Sequence, residues 1–495
     1  MLRLIDAFLN GVTMYRLMMY VLSGLLFLAT IFSFFQLLPF APLPLIFTSI
    51  ILSATAYLAN EILAKIFQAP ANFESIFITS LILSLIISPI NSLNEVPILM
   101  LVAVLAASSK FILALHHKHI FNPAALAIVL VPLLTTFGPS WWVGEPVMLA
   151  PTLIGGFLIV RKIKRWDLVL SFLAVFSLVT FGASFLKGAD YGQLIRGFSS
   201  SFLVLFFATV MLTEPQTTPP VKAWRILYGS LVGAILGSNF HLGPFYTTPE
   251  LSLILGNIFS FLVSPKEKLI LPLQEKIKYS PVLYDFVFKL DRPFNYLSGQ
   301  FMEWTYALKK LDSRGNRRFF TLASSPTEET LRIGVRFSEN GSAFKAQLLE
   351  MKKGEKIVAS LLSGNFTLPS DLNQKLTFLA GGVGITPFRS MVKYLLDKQE
   401  KRDIILLYCV KTNADAIYLK LFNQAKDLGV KTVVKETDKT GVVTKEVIAS
   451  QIPDFKERLF YLSGPYGMVT SFKKVLSEMG IPASQIKTDY FPGYV

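Results

Sequence analysis

Two regimes of hydrophobic patterning divide the chain. From about residue 17 to residue 264 one uncharged apolar run follows another, whereas from 266 to 495 apolar and charged residues alternate over short distances. The change falls at Ser264-Pro265-Lys266-Glu267-Lys268. A helix that crosses the hydrocarbon core of a bilayer needs roughly 20 apolar residues. Ten such spans are predicted, at 17–38, 42–60, 72–90, 96–115, 121–138, 147–160, 167–186, 197–213, 224–240 and 249–264. The sixth is short and carries Gly155-Gly156, so a break or tilt is expected there. The first run has no polar, small-residue cleavage region and precedes many others, so it reads as a first helix rather than a signal peptide.

The second regime has two textures. Residues 272–370 show short alternating strands at 282–290, 300–308, 318–323, 331–337 and 356–361, several of them separated by Gly and Asn turns, the pattern of a small antiparallel barrel. Residues 375–495 switch to strand–helix alternation, with strands at 376–380, 404–409, 431–435, 459–462 and 486–490, which predicts a doubly wound parallel sheet. The expected fold is therefore multi-domain. A polytopic α-helical membrane domain of about ten helices (1–265) precedes an antiparallel β-barrel domain (266–372) and an α/β doubly wound nucleotide-binding domain (373–495).

Composition sharpens this picture. Hydrophobic residues make up 52% and the mean hydropathy is +0.50, too apolar for a wholly soluble chain. The net charge of +15 does not point to nucleic acid, because the basic residues of the first half lie between apolar spans, where membrane orientation accounts for them. With the N-terminus in the cytoplasm, the inner side holds Arg3, Arg16, Lys65, Lys110, Lys118, Arg161, Lys162, Lys164, Arg165, Lys222, Arg225, Lys266 and Lys268. The outer loops hold only Lys187 and Arg196, a count of 13 against 2. A multi-pass protein of the cell inner membrane or plasma membrane, with both termini cytoplasmic, follows. The single cysteine, Cys409, excludes a disulfide framework and an iron–sulfur cluster held by this chain alone, since such clusters need about four thiolates. It ends a buried strand and reads as core. Of the four histidines, His116, His117 and His119 share one loop and His241 stands apart, an arrangement unsuited to a haem between two helices. No metal site is expected, and redox chemistry must rest on organic cofactors.

The apolar half carries an internal repeat. Pro89 and Pro123 are 34 residues apart, as are Pro215 and Pro249, and an offset of 126 relates the pairs (215 − 89 and 249 − 123). The offset spans five helices, an odd number, so the copies have opposite orientation, and paired proline interruptions mark inverted-repeat membrane folds. Trp141, Trp142 and Trp166 read as interfacial anchors. Glu214 reads either as part of a site or as a hydrated loop carboxylate.

Two stretches, Lys118-His119-Ile120-Phe121-Asn122-Pro123-Ala124-Ala125 and Phe206-Phe207-Ala208-Thr209-Val210-Met211-Leu212-Thr213-Glu214-Pro215-Gln216-Thr217-Thr218, resemble the D subunit of the Rnf electron-transport complex and the B subunit of the sodium-pumping NADH:quinone reductase. Gly155-Gly156 through Arg165-Trp166 also fits, and the resemblance covers about residues 15–264. It implies a ten-helix domain that carries flavin in the membrane and passes electrons across it. Those subunits usually attach FMN to a threonine in Ser-Gly-Ala-Thr. The nearest match, Gly182-Ala183-Ser184, lacks that threonine, which argues against covalent FMN and leaves a non-covalent FMN or riboflavin open.

In the second half the informative run is Gly381-Gly382-Val383-Gly384-Ile385-Thr386-Pro387-Phe388, directly after a buried strand. Glycines let the backbone turn tightly and approach a pyrophosphate, and a helix with Pro387 in its first turn aims amide donors at the phosphates. A side chain at Gly384 is expected to obstruct the nucleotide or to require a φ that suits only glycine. Residues 272–495 closely resemble the ferredoxin–NADP reductase superfamily. Its Arg-x-Tyr/Phe-Ser/Thr motif stands here as Arg318-Phe319-Phe320-Thr321. The resemblance implies Arg318 on the FAD pyrophosphate, Phe320 on the flavin or ribityl chain and Thr321 near flavin N5. Gly341-Ser342-Ala343-Phe344 resembles the second FAD element, its amides and hydroxyl facing the pyrophosphate. Ser463-Gly464-Pro465 resembles the family's Cys-Gly-Pro by the nicotinamide, and Asp489-Tyr490-Phe491-Pro492-Gly493-Tyr494 its Glu-x-Phe ending, with serine for cysteine and aspartate for glutamate. Taken singly, Arg318 is an ordinary surface cation and Phe320 an ordinary core residue. Their order ahead of the glycine run gives them meaning. The implied catalytic residues are Thr321, Ser463 and Asp489; Phe491 and Tyr494 complete the cofactor contacts with Gly381, Gly382, Gly384, Ile385, Thr386, Pro387, Gly464 and Pro465.

The functional expectation is a membrane-bound flavoprotein oxidoreductase. It takes hydride from NAD(P)H to FAD and passes electrons into or across the membrane to a flavin, a quinone or an extracytosolic flavoprotein. Two alternatives stand beside it: an NAD(P)H:quinone reductase without transmembrane transfer, and a transporter with a redox-sensing flavin module.

Overall fold

In the computed structural model the residues described are 5–6, 8–9, 11–67, 73–115, 118–135, 137–186, 188, 202–242, 245–264, 268–306, 312, 315–338, 341–441 and 443–489. The chain divides into two compact units, Met1–Lys268 and Leu269–Val495, a boundary three residues beyond the one expected at 265 (268 − 265).

Among the described residues the first unit has helical elements that overlap the apolar runs. These are α1 (Met14–Phe34), α2 (Pro42–Ile66), α3 (Phe73–Ile86), α4 (Val96–Ile112), α5 (Pro123–Leu134), α6 (Leu149–Ile163), α7 (Trp166–Leu186), α8 (Leu203–Phe206, continued by a π turn at Phe207–Met211), α9 (Lys222–Ser238) and α10 (Pro249–Val263). Among the described residues five helices are long and apolar enough to cross a membrane: Met14–Phe34, Pro42–Ile66, Leu93–Ile112, Pro146–Ile163 and Trp166–Phe185. Phe73–Ile86, Pro123–Leu134 and Pro249–Val263 are shorter apolar helices. At about 1.5 Å per residue a helix of 12 residues such as α5 reaches about 18 Å, short of the roughly 30 Å hydrocarbon core.

The 126-residue offset recurs in the element bounds. Adding it to α4 (96 and 112) gives those of α9 (222 and 238), and adding it to Pro123 gives Pro249. Between the helices of each pair lie two antiparallel strands of two residues, β1–β2 (Ala114–Leu115 with Lys118–His119) and β3–β4 (His241–Leu242 with Phe245–Tyr246). Helices α5 and α10 are capped alike, Asn122 accepting from Ala125 N and Thr248 from Leu251 N.

Two expectations about this unit are corrected. Helix α6 is continuous through Gly155-Gly156. These glycines allow close packing: a Cβ at Gly155 would lie 2.5 Å from Val21 Cγ1, and one at Gly156 2.5 Å from Thr209 Oγ1. Trp141 and Trp142 are not interfacial; both are buried in the helical core. The Trp141 indole donates to Glu250 Oε1 (2.7 Å) and that of Trp142 to the carbonyls of Ile87 (2.9 Å) and Ser84 (3.1 Å). Trp166 is exposed. Glu214 follows the π turn and meets Asn122 Nδ2 (2.9 Å), Thr217 Oγ1 (3.2 Å) and His119 Nε2 (3.4 Å).

The second unit holds two sheets. The first is antiparallel and six-stranded, in the order β8 (Arg317–Thr321), β7 (Phe301–Thr305), β10 (Lys356–Ser363), β5 (Leu269–Ser280), β6 (Leu283–Lys289), β9 (Thr330–Arg336). Its core includes Phe286, Phe288, Trp304, Ile333 and Phe344, and helix α11 (Ala343–Glu350) packs on it. Strand β5 was absent from the sequence expectation, because Pro272 and the nearby charged boundary give it the look of a linker. Leu269, Leu271 and Leu273 nevertheless alternate into the core. The other five strands lie where expected.

The second sheet is parallel, in the order β13 (Val430–Glu436), β12 (Ile404–Val410), β11 (Leu376–Gly381), β14 (Leu459–Ser463), β15 (Ile486–Asp489). The order reverses beside the first strand in sequence, β11, the kind of crevice where open α/β sheets bind ligands. Strand β12 is buried along its whole length, as a central parallel strand should be. Cys409 lies within it, and burial pushes its thiol up to about 11.

Candidate functional site

The site lies at the C-terminal ends of β11, β14 and β15. Strand β11 ends in Gly381, a single 3-10 turn covers Gly382–Ile385, and helix α12 (Thr386–Lys398) begins at once with Pro387 in its first turn. Thr386 Oγ1 donates to the Val383 carbonyl (3.1 Å), bracing the turn, while Ile385 and Pro387 are buried under it. Gly382 takes the left-handed conformation (φ +52°), and from its Cβ position the nearest atom is Arg336 Nη1, 3.8 Å away. The loop is thus open at Gly382 and flanked by a cation, a combination suited to a phosphate. Arg336, at the end of β9, was missed in the sequence, where it is one of many cations on an alternating strand.

The requirement for glycine at 384 differs from the expectation. A Cβ there would lie 2.5 Å from Ser463 O and 2.6 Å from both Gly464 N and Cα. The obstruction falls on the turn after β14, not on an open nucleotide surface, and the left-handed glycine is Gly382. Gly384 lets the glycine loop sit directly against Ser463-Gly464. Ser463 is buried, Gly464 half-buried and Pro465 exposed.

The structure brings the three implied catalytic residues together. Ser463 is the parallel-register partner of both Ala380 and Asp489. Thr321, the last residue of β8 in the other sheet, donates its hydroxyl proton to Asp489 Oδ2 at 2.9 Å, and both residues are buried. Residues 321 and 489 are 168 apart in sequence, so this bond joins the two sheets at the mouth of the glycine loop.

The remaining motif residues line β8 and α11. The Arg318 guanidinium lies over the Phe344 ring (5.4 Å), and Phe320 is 6.1 Å from the same ring. Phe319 meets Phe301 edge-on at 5.7 Å. Phe319 and Phe320 keep partly open faces, whereas Phe344 is fully buried. Ser342 caps α11 by accepting from Lys345 N (3.3 Å), Gly341 N donates to Ser338 O (3.0 Å), and Ala343 N donates to Asp312 Oδ2 (2.8 Å). The amides of Gly341 and Ala343 are therefore committed to protein acceptors, while the Ser342 hydroxyl oxygen accepts from the backbone of its own helix. Phe491 and Tyr494 lie outside the described residues.

Behind the site runs a polar seam that sequence reasoning did not find. Arg389, in the first turn of α12 and buried, donates Nη1 to Ala323 O (2.6 Å) and Glu328 Oε2 (2.8 Å), and Nη2 to Glu328 Oε1 (3.0 Å). Ser390 donates to Ser324 O (2.5 Å). Asp285, fully buried, accepts from Tyr418 (2.5 Å), Tyr279 (3.1 Å) and Arg332 (3.1 Å). Burial raises the Asp285 carboxyl above its ordinary range despite these donors. Burial also works against the Glu328 carboxylate, but its bonds to Arg389 outweigh it and hold the group below its usual value.

Residues 378–474 match the family model described as the oxidoreductase NAD-binding domain. The match lies wholly within the second unit and covers its parallel sheet from β11 to the helix after β14. Among curated relatives, Flavohemoprotein A of Dictyostelium discoideum is 27% identical over 301 residues, 57% of this chain and 72% of that protein. The NADPH oxidoreductase of Mycobacterium tuberculosis is 29% identical over 193 residues (38% of this chain, 50% of the relative), and the NADH oxidoreductase HCR of Escherichia coli 27% over 191 (38% and 58%). The chain spans between half and three fifths of the length of these last two. A solved ferredoxin NADP+ reductase from Neisseria gonorrhoeae aligns with a TM-score of 0.40 at 18% identity, covering 45% of this chain and 98% of its own.

Proposed function

We propose that this chain is a membrane-bound flavoprotein that takes hydride from NAD(P)H to FAD in its second unit and passes the electrons into or across the membrane through its first. The observation that carries the reading is the convergence of Thr321, Asp489 and Ser463 beside the glycine loop, with Thr321 and Asp489 in direct contact across two sheets. The second unit is an FAD-dependent NAD(P)H oxidoreductase, supported by the matched domain and by relatives named as NADPH and NADH oxidoreductases.

FAD, when bound, supplies the conversion between two-electron and one-electron transfer. The chain supplies position and protons. Arg318, packed on Phe344, would hold the FAD diphosphate, and the open face of Phe320 would lie against the ribityl chain or ring. Because the Thr321 hydroxyl donates to Asp489, its lone pairs are left to accept from a ring N–H. Gly382, with Arg336 beside it, would take the dinucleotide phosphates. Ser463, held against Gly384, would sit at the nicotinamide.

For the first unit the proposal is ten spans with both termini cytoplasmic, built as an inverted repeat. The 13-to-2 charge count and the recurrence of helix–hairpin–helix at 126 residues support it. The resemblance to the Rnf D subunit points to a non-covalent flavin or a quinone as next carrier, and to an extracytosolic flavoprotein as an outer acceptor. The test is a proteoliposome with NAD(P)H on the side of the second unit and a membrane-impermeant one-electron acceptor trapped on the other. Reduction of the trapped acceptor is expected. Rapid flavin bleaching with the acceptor untouched would confine the chemistry to one side.

A further inference from the structure

We infer that Arg389 is a positioning residue for hydride transfer, setting the distance between the flavin side and the nicotinamide side of the site; this rests on the oxidoreductase reading above. The significance of Arg389 lies in what it joins. It is the fourth residue of α12, which starts at the end of the glycine loop, and its guanidinium bonds the Ala323 carbonyl at 2.6 Å, two residues beyond Thr321. The neighbouring Ser390 hydroxyl bonds the next carbonyl, Ser324, at 2.5 Å. Two consecutive side chains of the nucleotide helix therefore grip the two consecutive backbone groups that continue strand β8.

The grip is braced on both sides. Glu328 receives both Arg389 amino groups, at 2.8 and 3.0 Å, and its Oε2 also accepts from Ser325 N at 2.6 Å, so the carboxylate ties the guanidinium to the turn after β8. On the opposite side the guanidinium stacks over the Tyr418 ring (5.5 Å), whose hydroxyl ends on buried Asp285. A planar fork binding a carboxylate through two parallel bonds fixes orientation as well as distance, which a lysine ammonium cannot do. The placement is also costly. A cation in the first turn of a helix opposes the helix dipole, and α12 has its apolar residues Phe388, Met391, Val392 and Leu395 on the same buried side. A charge held there against both penalties is explained by the contacts it makes across the seam.

Rate is sensitive to such spacing: a misplacement of about 1 Å lowers it roughly 100-fold. The test uses the full chain in detergent, with Arg389→Lys and Glu328→Gln made separately so that one folding failure does not close the question. Flavin content, the limiting rate of flavin reduction at saturating NADH or NADPH, and the KM for each nucleotide are measured. The expected result for Arg389→Lys is normal flavin content, a KM within about threefold of wild type, and a limiting rate lower by roughly 10- to 100-fold. Glu328→Gln, which keeps one acceptor, gives a smaller fall in the same sense. A merely structural role would lower flavin content or yield and leave the rate per bound flavin unchanged; that outcome in both variants, or a wild-type limiting rate in Arg389→Lys, overturns the inference. Failure of the wild type itself to be reduced by either nucleotide would instead overturn the oxidoreductase reading.

Discussion

Replacing Gly384 by alanine should slow flavin reduction without releasing flavin. The added Cβ would stand 2.5 Å from Ser463 O and 2.6 Å from Gly464 N and Cα, where ordinary contact begins near 3.4 Å, so the two segments must part by about 0.9 Å (3.4 − 2.5). All three atoms are backbone, so no side-chain rotation relieves the clash, and Ser463 is held in register between β11 and β15. Overpacking of this kind costs about 1–3 kcal/mol of stability. Displacing Ser463-Gly464 by nearly 1 Å from the glycine loop should lower the limiting hydride-transfer rate by roughly 100-fold. The FAD-side residues on β8 and α11 make none of these contacts, so the flavin spectrum and reduction by dithionite should be unchanged. The assay is anaerobic stopped-flow bleaching of the flavin by NADH and by NADPH, wild type beside variant. Wild-type limiting rates with both nucleotides, in a variant with normal flavin, would refute the reasoning, because they would show that the Gly384–Ser463 approach does not set the reacting geometry.

Thr321→Val should remove the 2.9 Å bond to the buried Asp489, costing about 1–3 kcal/mol and slowing reduction, whereas Thr321→Ser should retain most of the rate; equal rates in the two would remove the hydroxyl from the account. Because Arg389 holds the Glu328 carboxyl below its ordinary value of 4.5, the stabilisation it brings is present above about pH 4.5 and is lost as pH falls through the folded pKa. Glu328→Gln should therefore flatten the acid limb of the thermal-unfolding profile, and an unchanged limb would contradict the pairing. A reporter fused after the second unit should be active only on the cytoplasmic side, as the 13-to-2 charge count requires; activity only outside would overturn the span count.

Legibility in the sequence followed the range of the signal. The glycine loop announces itself locally, since a buried strand, a glycine run and a proline-started helix are consecutive. Thr321, Ser463 and Asp489 were picked by motif, and their meeting depends on strand order, which no local pattern states. The seam was missed for the same reason: Arg389 and Glu328 are 61 residues apart and Asp285 and Tyr418 133, and each alone is an ordinary polar residue. One signal was available, a cation in the first turn on the apolar side of α12, where both burial and dipole oppose it. The Trp141-Trp142 pair misled because tryptophan is as much at home in a packed core with an indole acceptor as at a membrane surface. Strand β5 was hidden by Pro272, although alternating Leu269, Leu271 and Leu273 carried its period.

On the proposed function the Thr321–Asp489–Ser463 site moves hydride from a nicotinamide nucleotide to FAD in a chain that is itself embedded in the membrane. The most direct test extracts the intact chain from membranes with detergent, assays the flavin released on denaturation, and mixes the protein anaerobically with NADH and with NADPH. The expected result is a membrane-extracted protein carrying FAD and no Soret band, its flavin absorbance bleached by at least one nucleotide. A colourless protein, or one whose bound flavin dithionite reduces but neither nucleotide does, would contradict it.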